Sequence, residues 1–504
     1  MENFCRFSNI SNFFEFFCLS AVTALFFISC AGKNPQPGIA MYIAPHNKSV
    51  SLECDAGTGG ENTLYQWYES ENTTASSGRA LPDATDYTFT TPVFTDRGIH
   101  YYYCTATTEK NGVSVSKISS VAYTGLPTVY IDTPESVEIT SKDDWVEKAE
   151  ISIYGAEEKN WNLNKTKTSI KGRGNSTWQR PKKPYSIKLD QKQKIFGMPE
   201  HKRWVLLANY LDPSFMRNET AFYLSRTFEM EWTASGQFVD LVLNGEYKGL
   251  YWLGEAVKVD KNRVNINDGK DEMADSEDKD YLIEMDEYFD ENIKFKSEIK
   301  NLPYMVKNDD RMVDRNGNIT SGGMARLERL QARISALEKL LYPEPDESYL
   351  QTLDITSWAK FWLVNEIMNN LELGKPKSAF FTFDSAKNVL KAGPVWDFDW
   401  RFKDSCQDDL RNALYYDALF KSSRFIAAIK QIWEKYQNVI DIDTITESTR
   451  GKISVAAEYD SLLWGIWENN LNIIETKDFN SNVDFLKETL LKRLLLVDSE
   501  INNL

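Results

Sequence analysis

Asp397 and Asp399 stand two residues apart in Gly393-Pro-Val-Trp-Asp-Phe-Asp-Trp400. In an extended segment, positions i and i+2 project to one face, so the two carboxylates would lie side by side and repel unless a cation sits between them. Magnesium suits such a pair, because it takes one or two carboxylates and leaves its other positions to water and phosphate oxygens. The opposite charge is concentrated elsewhere: eleven Lys or Arg and one acid lie between Lys159 and Lys194, in a chain whose formal total is −16. Within that block, Ser169-Ile-Lys-Gly-Arg-Gly-Asn-Ser-Thr-Trp178 and Pro181-Lys-Lys-Pro-Tyr-Ser-Ile-Lys-Leu189 read as two alternating stretches around a Gly-rich bend. Residues without Cβ atoms let backbone N–H groups approach an anion, and Arg173, Lys183 and Lys188 add charge, so phosphate is the natural guest. The competing reading of this segment alone is a solvated basic hairpin. A phosphate cradle together with an Asp pair implies metal-assisted nucleotide chemistry.

The elements that must position these groups follow from periodicity. Gly125-Leu-Pro127 marks a boundary, and from there to about residue 290 the texture is strand-rich. Phe238 to Leu253 carries Asn244-Gly245 between two β-rich runs, a hairpin signal, and a helix is expected from about Ser214 to Phe228. Asn267 to Asp280 is acidic and reads as a solvated loop, after which a strand resumes at Tyr281-Leu-Ile-Glu-Met-Asp286. Beyond Gly322, Met324, Leu327, Leu330, Ile334, Leu337 and Leu341 recur at three and four, marking one buried helical face. Asp354 is placed to cap a helix running to about Leu371, whose Trp358, Phe361, Trp362, Ile367 and Met368 surround the cylinder, so it should lie between layers. Helical stretches near 424–437, 453–468 and 483–503 complete the chain. A β-rich front and a helical rear predict an α+β domain over residues 126–504, with nucleotide held between them.

The ordered succession Ile170-Lys-Gly-Arg-Gly-Asn-Ser-Thr-Trp178, Lys182 to Leu189, Arg203-Trp-Val-Leu-Leu-Ala-Asn209, Met216-Arg-Asn218, Val239 to Tyr251, Glu255 and Pro394-Val-Trp-Asp-Phe-Asp399 resembles the CotH family. That resemblance implies a kinase-like fold and an atypical protein kinase that moves phosphate from ATP to Ser or Thr of a protein acceptor, using Mg²⁺ or Mn²⁺. Phosphoryl transfer needs donors around the phosphates, metal ligands and a carboxylate for the attacking hydroxyl. Arg173, Ser176, Lys183 and Lys188 are the phosphate candidates, and Asp397 then Asp399 the metal ligands. Glu255 would orient one Lys as an ion-pair partner, or else serve as a structural Glu at a strand end. In the stretch Asn369-Asn-Leu-Glu-Leu-Gly-Lys-Pro-Lys-Ser378, Glu372 stands where the family's catalytic Asp is expected, and Ser378 where an Asn ligand is expected. One extra methylene shifts a carboxylate enough to matter for near-attack geometry.

The N-terminal part speaks of address. Phe16 to Gly32 carries no charge and ends in Phe27-Ile-Ser-Cys30, which resembles a bacterial lipobox, so residues 1–30 are read as a signal peptide, with Cys30 lipidated and the body held outside the cytoplasmic membrane. Residues 31–38, rich in Pro and Gly, read as a tether. Cys5, Cys18 and Cys30 fall in the leader and Cys406 stands alone, which leaves Cys54 and Cys104 as the pair for an oxidising compartment. With Trp67 between them and Tyr102 two residues before Cys104, residues 39–125 resemble an immunoglobulin-type sandwich, a spacer or adhesive module. An alternative function is accordingly a lipid-anchored surface binding protein that keeps the kinase-like fold as a scaffold.

Other chemistries lack material. The three His, at positions 46, 100 and 201, are near neither one another nor a Cys pair, so His/Cys zinc sites and His-activated nucleophiles are not expected. No Gly-x-Ser-x-Gly or Gly-x4-Gly-Lys-Ser/Thr string occurs. Glycoside hydrolysis fits poorly, since carboxylates two residues apart do not flank a scissile bond. The acidic balance argues against nucleic acid as a partner.

Overall fold

The computed structural model describes residues 39–57, 62–75, 77–269, 279–310, 312–399, 410–465 and 478–504. The leader with Cys30, the tether at 31–38, most of the acidic stretch (270–278) and Cys406 lie outside them. Among the described residues, no helix is long and apolar enough to cross a membrane.

Eight strands come first: β1 (Ile39–Ile43), β2 (Ser51–Glu53), β3 (Leu64–Ser70), β4 (Arg79–Ala80), β5 (Thr88–Thr90), β6 (Gly98–Thr108), β7 (Gly112–Val115) and β8 (Ile118–Tyr123). They form a sheet in the order β1-β8-β6-β3-β4, with β7 also on β6, and a separate β2–β5 pair. Leu52 and Phe89 of the pair pack with Trp67, Tyr102 and Cys104 of the larger sheet, so the two sheets share one core. Cys54 and Cys104 correct the expectation of a disulfide: they are free, buried thiols in contact with each other. Burial and the neighbouring Cys54 push the Cys104 thiol well above its ordinary value. Apolar packing around Trp67 holds the sheets together here.

After the turn at Gly125, seven strands close a barrel: β9 (Thr128–Asp132), β10 (Val146–Tyr154), β11 (Leu163–Gly172), β12 (Tyr185–Gln193), β13 (His201–Leu207), β14 (Gly236–Leu243) and β15 (Glu246–Glu255). Alternation places Val129, Ile131, Ile151, Ile153, Ile170, Ile187, Leu189, Val239 and Leu241 in its interior, while polar partners on the same strands face outward. The expected hairpin is β14–β15, and Asn244 and Gly245 take φ of 53° and 80°, the positive pair that a two-residue turn of this kind requires. A parallel β14–β9 pairing closes the barrel, which the alternation alone did not reveal.

Helix α1 (Arg217–Thr227) leaves the barrel between β13 and β14, within the expected span. The strand texture then continues past residue 290, contrary to the expected helical rear. Five short strands, β16 (Tyr281–Met285), β17 (Lys294–Lys296), β18 (Pro303–Val306), β19 (Ala379–Asp384) and β20 (Val389–Ala392), form an antiparallel sheet in the order β17-β18-β16-β19-β20. Runs of three to six residues are too short for periodicity to separate from loops. Helices α2 (Ser321–Leu341) and α3 (Ile355–Ile367) lie between β18 and β19 in sequence, and α4 (Tyr416–Leu419), α5 (Ser423–Tyr436), α6 (Ile442–Trp464) and α7 (Phe479–Asn502) follow.

Leu327, Leu330, Ile334, Leu337 and Leu341 are buried as expected, but Met324, one turn inside α2, is 42% exposed. The Asp354 side chain accepts the Ser357 N–H, capping α3, which packs against α1, α5, α7 and β20 and so lies between layers. That helix stops at Ile367 rather than Leu371, since Asn369 turns to φ 48°.

The sandwich is seated on the second module. Ile43 and Ala122 pack against Val242, Tyr247 and Tyr459, and Arg97 donates to the Gly451 carbonyl at 2.8 Å. At the junction Asp240, fully buried, accepts from the hydroxyls of Thr124 at 2.5 Å and Tyr247 at 3.0 Å. Burial pushes its carboxyl from 3.8 up to about 7. The folded protein therefore keeps this proton where the unfolded chain has lost it, so this group makes stability fall as pH rises from about 4 to about 7. Asp240→Asn keeps the shape without the titration. Its thermal midpoint, followed by calorimetry, should vary less than that of the wild type across this window; an unchanged slope would place the titration elsewhere.

Candidate functional site

The ends of β11 and β12, with the loop Arg173–Pro184 that joins them, form one wall of a cleft of about 380 Å³. The bend is built on glycine for two reasons. Gly174 has φ 79°, and a Cβ on Gly172 would sit 2.4 Å from the Trp178 ring, so the indole folds flat over the backbone. Arg173 N–H closes the loop on the Pro184 carbonyl at 3.2 Å. Among the described residues, no acceptor takes the backbone N–H of Gly174, Asn175, Ser176 or Thr177, and all four residues line the cleft. Consecutive free amides of this kind make an anion nest.

Arg173 extends from this wall with its guanidinium 5.6 Å from the Trp396 ring centroid. Burial pulls its pKa down, against Asp397, Asp399 and Glu284, which hold it up. No carboxylate lies within ion-pair distance of it among the described residues, so its charge faces the cleft uncommitted. Lys258 and Lys171 line the same wall, both lowered by burial first.

The opposite wall is acidic. Asp397 takes φ 68°, so the segment is not the regular extended strand that its spacing suggested, yet both Asp397 and Asp399 line the cleft. The Phe398 N–H between them donates to Asn218 Oδ1 at 2.8 Å, and Asn218 Nδ2 donates in turn to Asn209 Oδ1 at 3.2 Å. Asn218 thus fixes the backbone that carries the pair. Burial raises the Asp399 carboxyl well above its ordinary value, and Asp397, Asp212 and Glu372 add to the shift against Arg217. Burial, then Asp397, pushes Glu372 up to about 7, while Lys377, 3.3 Å from its Oε1, opposes. Ser378, at φ 48°, gives its N–H to Asp286 Oδ2 at 3.0 Å.

The cleft therefore brings together Arg173, Ser176, Glu372, Asp397 and Asp399, but three expected residues lie elsewhere. Lys183 donates to the Trp178 carbonyl at 2.7 Å and rests over that ring, so it is spent on the outer side of the loop. Lys188, one strand repeat past the cleft-lining Ser186, pairs in register with Ser169 and Arg203 on the barrel flank. Glu255 accepts the Ser235 N–H at 3.1 Å and faces Arg263 at 3.4 Å, so it is the structural Glu at a strand end rather than a partner for a cleft Lys. Beside Lys377 with Glu372, the cleft holds a Lys–Glu pair on its sheet side, Lys307 with Glu284 at 2.7 Å, and Glu291 holds the same ammonium. Sequence reading missed Glu284, Asp286, Lys307 and Lys258, which carry no motif of their own; Asn209 and Asn218 stood in matched strings without a role.

Residues 170–496 match the model of a family described as CotH kinase protein. The chain belongs to the CotH family. No curated protein matches it. The match begins inside β11, so the sandwich and the first two barrel strands precede the matched CotH region.

Among the described residues, no group of three or more His, Cys, Asp or Glu is placed to share a metal. A divalent cation of the Mg²⁺ type needs only one or two carboxylates beside water and phosphate, and the buried Asp399 beside the half-buried Asp397 fits that need. Asp399→Asn should raise the melting temperature of the metal-free CotH protein at neutral pH, by removing a buried like charge, and should abolish the further rise on adding MnCl₂. A Mn²⁺-induced rise as large as in the wild type would remove Asp399 from the metal site.

Proposed function

We propose that this CotH protein transfers the terminal phosphate of ATP to a Ser or Thr hydroxyl of a protein acceptor, with Mg²⁺ or Mn²⁺ at Asp397 and Asp399. The supporting observation is the opposition across one cleft of a free amide nest and Arg173, which has no ion-pair partner among the described residues, to the carboxylates of Asp397 and the buried Asp399. Charge on the phosphates suits the first wall and a cation the second. The bound metal would neutralise developing charge on the transferring group.

The chain's own groups account for the rest. The amides of Gly174 to Thr177 and the Arg173 guanidinium would hold phosphate oxygens, and Trp396 keeps Arg173 oriented without neutralising it. Glu372 would accept the proton of the attacking hydroxyl as its oxygen takes the phosphoryl group and ADP departs. A carboxyl poised near neutrality suits a general base, and Lys377 fixes its orientation.

A second reading rests on one observation: Glu372 is longer than the family's Asp and is engaged by Lys377. In that reading the protein is a lipid-anchored surface binding protein that keeps the kinase-like scaffold. Both readings take residues 39–125 as an immunoglobulin-like module, supported by Trp67 buried against Cys54 and Cys104. Both also place the body outside the cytoplasmic membrane through Cys30, supported by the lipobox-like string Phe27-Ile-Ser-Cys30.

Glu372→Gln separates the two. With Mn²⁺ and radiolabelled ATP, the wild type should label itself or a generic basic protein, and Glu372→Gln should lose at least about a hundredfold in rate while ATP affinity stays within about threefold. If the wild type transfers nothing and Glu372→Asp does, the scaffold reading holds. Wild-type transfer that survives Glu372→Gln would assign the base elsewhere.

A further inference from the structure

The Lys182-Lys183 pair divides its labour in an unexpected way. Lys183 faces outward, while Lys182 is fully buried at the return end of the phosphate loop, two residues before Pro184 accepts the Arg173 N–H. Its ammonium lies 2.6 Å from Asp460 Oδ1 on α6 and 2.6 Å from the Leu250 carbonyl, with the Tyr251 and Phe215 rings at 4.8 and 5.0 Å. Asp460 Oδ1 also accepts the Leu250 N–H at 2.8 Å. Gly249 permits this approach, since a Cβ there would stand 2.1 Å from the same oxygen. Neither Lys182 nor Asp460 lines the cleft.

The residue before Asp460 reaches the other module. The Tyr459 hydroxyl accepts the Tyr42 N–H at 3.0 Å and lies 2.8 Å from the Ser120 carbonyl, to which it can donate; Tyr459 and Ser120 are buried and Tyr42 is half-buried. Adjacent positions of one helix thus hold the root of the phosphate loop and the seat of the N-terminal module. Asp240, which binds Thr124 at the junction, lies in the field of both Lys182 and Asp460.

We propose that Asp460 is a positioning residue for the phosphate loop, acting through Lys182, and that Tyr459 makes the seating of the sandwich part of that positioning. The N-terminal module is then a working part of the phosphate site rather than a spacer in front of it. This rests on the reading of the cleft as a nucleotide site, but its structural half is testable without ligand. A buried ion pair is a costly way to anchor a loop, because both charges must be desolvated, so breaking one partner leaves an uncompensated charge. Exchanging both for apolar residues avoids that artefact.

The experiment uses the full chain as wild type, Tyr459→Phe and the double variant Lys182→Met with Asp460→Leu. Amide hydrogen exchange is followed with and without ATP and MgCl₂. Without ligand, the Arg173, Gln179 and Arg180 amides, all bonded within the loop, should exchange about threefold to tenfold faster in Tyr459→Phe, the size expected for one lost hydrogen bond, and faster still in the double variant. With ATP, reciprocity of coupling requires the Tyr42 amide to become better protected in the wild type and not in Tyr459→Phe. ATP affinity should fall by about the same factor as loop protection. Unchanged loop exchange in both variants overturns the inference, whatever ATP does. If the loop loosens but the wild type binds no ATP, the positioning stands and the nucleotide reading falls. If ATP binds and affinity does not follow loop protection, the coupling to the phosphate site is overturned.

Discussion

Asp399 is buried beside Asp397 and within the field of Asp212 and Glu372, with no cation in ion-pair contact among the described residues. Collecting so much negative charge at low solvent access is unfavourable unless something in the folded state tolerates or uses it. The surrounding structure is arranged around that constraint. Asn218 accepts the N–H of Phe398, between the two carboxylates, and so holds the backbone that carries them. Arg217, with Asp212, stands behind Asp399, and Arg173 arrives from the barrel in front. A site that stores repulsion is one that gains most from a cation, and strain of this kind belongs to function rather than to stability.

The positive wall avoids the same problem in a different way. Arg173 is held over Trp396 and Lys171 over Trp145, contacts that orient a cation while leaving its charge available. Lys307 is the exception, since Glu284 and Glu291 neutralise it, and its role is to brace the sheet β16–β18 at the cleft floor. The barrel supplies rigidity: seven strands with an Ile-, Leu- and Val-rich interior fix where the β11–β12 loop begins and ends.

Seating the sandwich on α6 and β15 makes the two modules one mechanical object at their junction. The contacts there are polar as well as apolar, and hydrogen bonds cross from one module to the other, as with Tyr459 to Tyr42 and Thr124 to Asp240. Such satisfaction is specific in geometry, so the modules meet in one arrangement rather than sliding over a greasy surface.

Local chemistry was legible in the sequence. The Gly172 and Gly174 bend, the Asn244-Gly245 turn and the Asp354 cap all depend on neighbours a few residues away, and each was found where the spacing put it, whereas Asp397 and Asp399 line one cleft without the extended backbone that their spacing suggested. The strings quoted for the CotH family were legible too, since the matched region contains them from Ile170 onward. What the sequence could not supply was which of two adjacent, chemically equal residues faces inward. Lys182 rather than Lys183 is buried, because Asp460, 278 residues away, meets it. Glu284 rather than Glu255 joins the cleft, because β16 pairs with β18 and brings Lys307 beside it. The barrel's closure, the thiol contact of Cys54 and Cys104 and the clamp of Asn218 on Phe398 likewise join residues far apart in the chain, and only tertiary packing decides such pairings.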